Sequence, residues 1–179
     1  MQELILPHGP KNIFLRAFSL WFAQLSSQEK FDIWFSIESR DLNWLNELPK
    51  CQSCLPEQNG QFLSPDPKIW EVPKKVYDAD KFHPGAVWEV RTLKASKSGA
   101  GNQCTYDKNG KIITSRYGCG TADRAQATRS VFLVVVNWIG DSGHIGHDVT
   151  PFNLAYKLDG NTFGGNVSKY VDVRPFVGE

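Results

Sequence analysis

The sequence predicts an α+β fold in which a helical N-terminal portion packs on a small, irregular, partly antiparallel sheet stapled by cysteines. Three observations predict it. Apolar residues in the first forty positions recur at helical spacing. Six prolines (Pro49, Pro56, Pro65, Pro67, Pro73 and Pro84) then crowd residues 49–84 and exclude long regular elements. The alternating and β-branched runs come after them. A chain of 179 residues with 41% hydrophobic and 22% charged residues can bury a core and suits a single domain over 1–179.

The elements follow in order. Ile13, Ala17, Leu20 and Trp21 fall at i, i+4, i+7 and i+8, with Phe14, Phe18 and Phe22 on the flank, a stripe expected to face the core. Ser26-Ser-Gln-Glu29 has capping-box spacing ahead of Phe31, Trp34, Phe35 and Ile37. Ser39-Arg-Asp41 caps a third short helix carrying Leu42, Leu45 and Leu48, which Pro49 closes. The proline-rich segment needs outside restraint, and Cys51 and Cys54 fall within it. Val87 to Leu93 alternates as a strand. Asp107-Lys-Asn-Gly110 is a turn leading into a short strand, Lys111 to Thr114. Val131 to Ile139 is β-branched and apolar, a buried strand or, as the alternative, a buried helix. Tyr170 to Val173 alternates weakly and is expected as a terminal strand.

Charge and hydropathy exclude several function classes. Twenty Lys+Arg against nineteen Asp+Glu leave +1, which argues against a nucleic-acid binder working by phosphate neutralisation. The apolar run from Ile13 to Leu25 is broken by Arg16 and is shorter than the roughly twenty residues of a bilayer span, so no transmembrane segment is expected. Met1 to Pro7 offers neither a basic n-region nor a cleavage site for a signal peptide. Six Trp, eleven Phe and five Tyr imply a well-filled core or a contact surface.

The four cysteines, Cys51, Cys54, Cys104 and Cys119, admit two disulfides, a zinc site or four reduced thiols. Cys51-x-x-Cys54 has knuckle spacing, but fourteen residues separate Cys104 from Cys119, where a zinc ribbon would carry a second C-x-x-C. The strongest chemical constellation is Gly140-Asp141-Ser-Gly-His144-Ile-Gly-His147-Asp148, expected on the loop after the apolar strand. His147 would serve as general base, Asp148 or Asp123 would orient its ring, and Ser142 or Cys104 would be the nucleophile. Alternatively His144 and His147 with a carboxylate would bind a metal, or the stretch is a polar turn without chemistry. His83 before Pro84-Gly85 is expected in a turn with a structural role. Tyr106-Asp107 opens a hairpin that Asp107 caps, and Asp123 with Arg124 would form an ion pair. No Gly-Lys-Ser/Thr phosphate loop, Rossmann fingerprint, His-Glu-x-x-His or Gly-x-Ser-x-Gly occurs, so no cofactor and no metal is expected.

Four blocks in order carry a family resemblance: Trp44-Leu-Asn-Glu-Leu-Pro-Lys-Cys51-Gln-Ser-Cys54, Phe82-His-Pro-Gly-Ala86, Gly101-Asn-Gln-Cys-Thr-Tyr-Asp107 with Gly110 and Ile-Ile-Thr114, and Gly120-Thr-Ala-Asp-Arg124. They resemble the AMOP domain, an extracellular cysteine-rich module of membrane mucins and adhesion-associated proteins, over about residues 42–124. Asp148-Val-Thr-Pro-Phe152 is similar to a further family segment, which makes 42–155 the core, 1–48 the helical portion and 156–179 a C-terminal strand or tail. The chain departs from the pattern where Lys81 and Glu89 stand near family cysteines, where the doubled cysteine is Cys104-Thr105, and at Cys119. The resemblance implies an oxidising compartment, hence two disulfides and a secreted or periplasmic location without a recognisable signal peptide. Bacterial relatives resemble proteins encoded near secretion-system or toxin genes. They imply a secreted effector, hydrolytic through the His/Asp loop, acting on a cell-envelope or surface target with a cognate immunity protein as candidate partner. The alternative is a non-catalytic adhesion or interaction module.

Overall fold

The computed structural model describes residues 20–115, 118–125 and 143–177. The first helix α1, Ser27–Glu38, begins where the capping box places it: the Glu29 backbone N–H donates to Ser26 Oγ (3.2 Å) and the Ser26 N–H to Glu29 Oε2 (2.8 Å). Its inward face carries Phe31 and Trp34. The third expected helix is a 3₁₀ turn, Asn43–Glu47, started by Asp41, whose carboxylate accepts from the Asn43 N–H at 2.9 Å. Of the N-terminal stripe only Leu20, Trp21 and Phe22 are described. Phe22 is buried and the other two are exposed, the reverse of the expected facing. The remainder of that stripe, the apolar run 131–139, Asp141 and Ser142 lie outside the described residues.

A small hairpin, β1 (Glu57–Gln58) with β2 (Gln61–Phe62), precedes a five-stranded antiparallel sheet of β3 (Lys74–Lys75), β4 (Trp88–Arg91), β5 (Gly101–Tyr106), β6 (Gly120–Asp123) and β7 (Phe176–Val177) in sequential order. A short helix α2, Ala79–Phe82, links β3 to β4, and the lysines of β3 blunt that sheet edge. Glu89 pairs with Thr105, Val90 with Cys104 and Arg91 with Gln103 across β4 and β5. Gly101 faces Asp123 across β5 and β6. A Cβ on Gly120 would fall 1.8 Å from the Gln103 carbonyl oxygen, so only glycine allows this approach of β6 to β5.

Period-two alternation sorts the sheet's two faces. Val90, Cys104 and Tyr106 pack with Leu55 and Trp70 in one core, and Phe62, Trp88 and Cys51 close over it. The opposite face presents Glu89, Arg91, Gln103, Thr121 and Asp123 toward the helical layer. That layer is α1 with α3 (Thr150–Leu158) and α4 (Gly165–Val173). Its core holds Phe31, Trp34, Phe152, Ala155, Val167, Tyr170 and Val173, with the Trp34 ring stacked between Phe31 and Tyr170 at 5.5 Å from each.

Two expected strands are replaced. Tyr170 to Val173 belongs to α4: Val167, Tyr170 and Val173 recur at helical spacing, all buried. The Asp159 carboxylate accepts from the Asn166 and Val167 N–H groups (3.1 and 2.9 Å), satisfying donors at the start of that helix. The terminal strand is β7. Lys111 to Thr114 makes only isolated bridges, Lys111 to Cys54 and Ile112 to Tyr106. The Asp107–Gly110 turn forms as expected, with Asp107 Oδ1 accepting from the Asn109 and Lys111 N–H groups (2.8 and 3.0 Å).

One disulfide joins Cys51 to Cys104, tying the proline-rich segment to the central strand β5. The second expected bridge is not formed: Cys54 is exposed and Cys119 is a buried thiol. The bridged Cys104 is fully buried, so it does not supply the thiol nucleophile considered from the sequence. Closing a loop with a sequence separation of 53 contributes about 4 kcal/mol by restricting the unfolded chain. Cys104→Ser is therefore expected to lower the unfolding free energy by about that amount in urea titrations. Native alkylation is expected to mark Cys54, and reduction to add two labels to the unfolded chain; no added label on reduction would remove the bridge.

Candidate functional site

The chain between residues 143 and 149 is helical, not the open loop expected from its glycines. Ile145–Val149 forms a π-helical turn, with the Thr150 N–H donating to the Ile145 carbonyl, and runs directly into α3. This geometry separates the two histidines. His144 and Asp148, four residues apart, share a face: His144 Nδ1 lies 3.2 Å from Asp148 Oδ2 and 3.7 Å from Asp123 Oδ2. His147 turns toward α1, its Nδ1 3.3 Å from Glu38 Oε1. The ring set against Asp148 and Asp123 is therefore His144 rather than His147.

Asp148 is buried and saturated. Its Oδ1 accepts from the Arg124 N–H (2.9 Å) and from Arg174 Nε (2.5 Å), and its Oδ2 from the Ala125 N–H (3.1 Å). Arg174 is fully buried and spends its other donors on Glu38 Oε2 (2.8 Å), the His147 carbonyl (3.1 Å) and the Val173 carbonyl (2.9 Å). Its guanidinium also lies over the Trp34 and Trp44 rings, at 5.3 and 5.6 Å from their centroids.

Asp123 lies on the sheet face. Its carboxylate accepts from Arg91 Nη1 (3.1 Å) and from the Thr121 hydroxyl (3.3 Å). The ion pair expected with Arg124 is not made, because Arg124 turns its guanidinium to the Ser98 carbonyl (2.9 Å). Arg91 Nε also donates to Glu89 (3.4 Å), and Glu89 accepts a short hydrogen bond from the Gln103 amide. His83, expected in a structural role, is buried, with Nδ1 at 2.9 Å from the Cys119 carbonyl and Nε2 at 3.2 Å from Gln103 Oε1. Tyr106 is buried in the disulfide-side core, away from this cluster.

These surroundings move the two aspartates in opposite directions. Burial pushes Asp123 up to about 6, against the pull of His144 and Arg91. Burial also penalises the Asp148 anion, but Arg174 and then His144 outweigh it and hold that carboxyl at about 2. Burial lowers His144, yet the hydrogen bond to Asp148 and the charge of Asp123 raise it overall. For Glu38, burial is outweighed by His147 and Arg174, which hold it below its ordinary value. His83 is pushed down by burial.

Asp123, His144 and Asp148 offer three potential ligand atoms within 4.8 Å of one another. Four donors fill Asp148, and a guanidinium group stands on each of the two carboxylates. The donor set is that of an ion-pair cluster, and a divalent cation would have to displace those donors.

The cluster floors a cavity of about 280 Å³ between sheet and helices. Glu89, Arg91, Gln103, Asp123 and His144 make the polar side, with Phe176 of β7 beside Thr121 on the sheet; Phe82, Phe152, Phe163 and Tyr170 make the opposite wall, with the exposed Tyr77 at the rim. Glu89, Arg91 and Arg174 were not singled out by sequence reasoning. The Trp88-Glu-Val-Arg91 alternation, with charges on one face and apolar groups on the other, is the signal that marks the first two.

The fold and site define a disulfide-stapled α+β module with a recessed pocket between sheet and helices. The model of the AMOP domain matches residues 26–177, and the chain belongs to that family. The family is extracellular and adhesion-associated. Comparison with curated proteins finds no match, and comparison with solved structures finds none. Among the described residues no helix is long and apolar enough to cross a membrane.

Removing Arg174 leaves Asp148 and Glu38 facing each other's surroundings without their shared cation. Arg174→Met is expected to cost about 3–5 kcal/mol in chemical denaturation; a loss below about 1 kcal/mol would contradict the pairing. The pH dependence has a definite sign. Asp148, lowered in the fold, contributes stability that disappears as pH falls from about 4 toward 2. Asp123, raised in the fold, contributes stability below its unfolded value that is lost as pH rises through about 6. Asp123→Asn is therefore expected to flatten the fall in stability between about pH 4 and 6 in pH-resolved urea titrations, and an unchanged slope would count against the buried carboxyl.

Proposed function

We propose that the chain is an extracellular interaction module that takes one side chain or small headgroup of a surface partner into the pocket between sheet and helices. The observation that supports this reading is the pocket's construction. Four aromatic rings, Phe82, Phe152, Phe163 and Tyr170, face a floor of charged groups already fixed by hydrogen bonds, so a ligand meets an apolar wall and a few oriented polar atoms. The buried Arg174–Asp148 pair behind the floor keeps it from rearranging on binding, which lowers the ordering cost.

The test is saturable binding of the fluorescently labelled chain to intact cells of its source, wild type beside Val171→Trp, which fills the pocket from α4. Binding is expected to weaken at least tenfold with the melting temperature retained. Equal binding by a folded Val171→Trp would place recognition elsewhere.

A hydrolytic effector role on a cell-envelope target is the second reading. It is favoured by one observation: the His144 ring lines the cavity with its Nδ1 3.2 Å from Asp148 and 3.7 Å from Asp123, an imidazole oriented by carboxylates as proton transfer requires. On this reading His144 and Asp123 share the proton transfers. Periplasmic expression of the wild-type chain would arrest bacterial growth and His144→Ala would relieve it. Unimpaired growth with wild type would remove this role and, with it, the need for a cognate immunity protein.

A further inference from the structure

We infer that the pocket is selective for a primary ammonium group on an apolar stem, the side chain of a lysine on a partner protein. The inference rests on the pocket reading above and adds the chemistry of the ligand.

The first ground is charge. The polar cluster that floors and backs the cavity joins four carboxylates, Glu38, Glu89, Asp123 and Asp148, to two guanidinium groups, Arg91 and Arg174. Arg91 serves both Glu89 and Asp123, and Arg174 serves both Asp148 and Glu38, so each arginine leaves one carboxylate's worth of charge uncompensated. Among the described residues, the other basic side chains paired with these carboxylates are the imidazoles of His144 and His147. Burial disfavours the charged form of His83, and Arg124 points away to Ser98. A cation entering the cavity completes a balance that the floor does not complete by itself.

The second ground is acceptor capacity. Each carboxylate offers about four lone-pair sites. Asp148 has four donors on it and no room. Among the described residues, Glu89 accepts only from Gln103 and Arg91, and Asp123 from Arg91 and Thr121, with His144 Nδ1 farther off at 3.7 Å. The vacant acceptor sites thus belong to the two pocket-lining carboxylates on the sheet face. An ammonium brings three N–H donors and no acceptor, which matches vacant lone pairs better than a hydroxyl or a carboxylate does.

The third ground is the wall. Phe82, Phe152, Phe163 and Tyr170 surround the approach to these oxygens, and aromatic faces attract a cation and bury a methylene stem. A cavity of about 280 Å³ holds one side chain rather than an extended peptide. The vacant acceptors favour a primary ammonium over a quaternary one, which has no N–H to donate.

The sign of the pH dependence follows. Asp123, pushed up to about 6, loses its proton as pH rises and adds a negative charge to the site, so a cation binds more tightly at pH 7.5 than at pH 5. The other charged or titratable groups packed around Asp123 and its neighbours are Glu38, His83, Glu89, Arg91, His144, His147, Asp148 and Arg174; of these Glu38 and Asp148 are held low and Arg91 and Arg174 high, so those four keep their charge over this range.

The experiment titrates the full chain with blocked lysine, norleucine, 2-aminoadipate and trimethyllysine amides, read by amide chemical shifts of pocket residues in NMR. Lysine is expected to bind at least tenfold more tightly than 2-aminoadipate, ahead of norleucine and trimethyllysine, and more tightly at pH 7.5 than at pH 5. Asp123→Asn is expected to reduce the lysine preference while keeping norleucine binding. Preference for 2-aminoadipate, for trimethyllysine or for none of the four over another would overturn the ammonium assignment and leave the pocket reading standing. No shift at pocket residues with any of them would overturn both.

Discussion

A fully buried guanidinium is the constraint around which the molecule is arranged. Arg174 has 0% exposure, and every donor of its side chain has to find an acceptor inside the protein. Those acceptors come from α1 through Glu38, from the π-helical turn through Asp148 and the His147 carbonyl, and from the end of α4 itself. Asp148 in turn takes the Arg124 and Ala125 N–H groups, which follow β6. One ion pair thereby joins three pieces of the helical layer to the segment leaving the sheet. A pair of this kind adds little to net stability compared with apolar packing, but breaking it is costly, so it fixes one arrangement and penalises alternatives.

The pocket exists because of that arrangement. The polar face of β4, β5 and β6 is set opposite an aromatic layer, and the ion-pair cluster holds the two apart at one side while the ring stacks around Trp34 and Phe152 build the other. On the far face of the sheet the Cys51–Cys104 bridge performs a different task. It restrains a proline-rich segment that contributes only two-residue strands and could not order itself through backbone pairing. The helical layer and the disulfide-side core are thus stabilised by separate means, ion pairing with aromatic packing on one side and a covalent link on the other.

Much of this was legible in residue order. The α+β class, the Ser26–Glu29 capping box, β4 within Val87–Leu93 and the Asp107 turn each rest on local chemistry, which a sequence displays directly. The family resemblance named from four blocks is the family the chain belongs to. What was missed depended on partners distant in sequence. Tyr170 to Val173 alternates like a strand, but Asp159 and the facing helices make it α4. Gly143 and Gly146 suggested a loop, yet the tie from Asp148 to Arg174 draws the segment into a helical turn and aims His147 away from the carboxylates. Four cysteines suggested two bridges, and only the pair brought together by β5 is joined. Of the expected site, Asp123, His144 and Asp148 converge; Glu89 and Arg91, marked only by the alternation of β4, and Arg174, which no local pattern could weigh, complete it.

Amide hydrogen exchange at Arg124 and Ala125 tests the central claim most directly, because these two N–H groups donate to Asp148 only if the buried cluster forms as described. The account predicts protection comparable to the amides of the central strand β5. Exchange at the rate of an exposed turn would show that Asp148 does not anchor the segment after β6, and the pocket floor would lose its support.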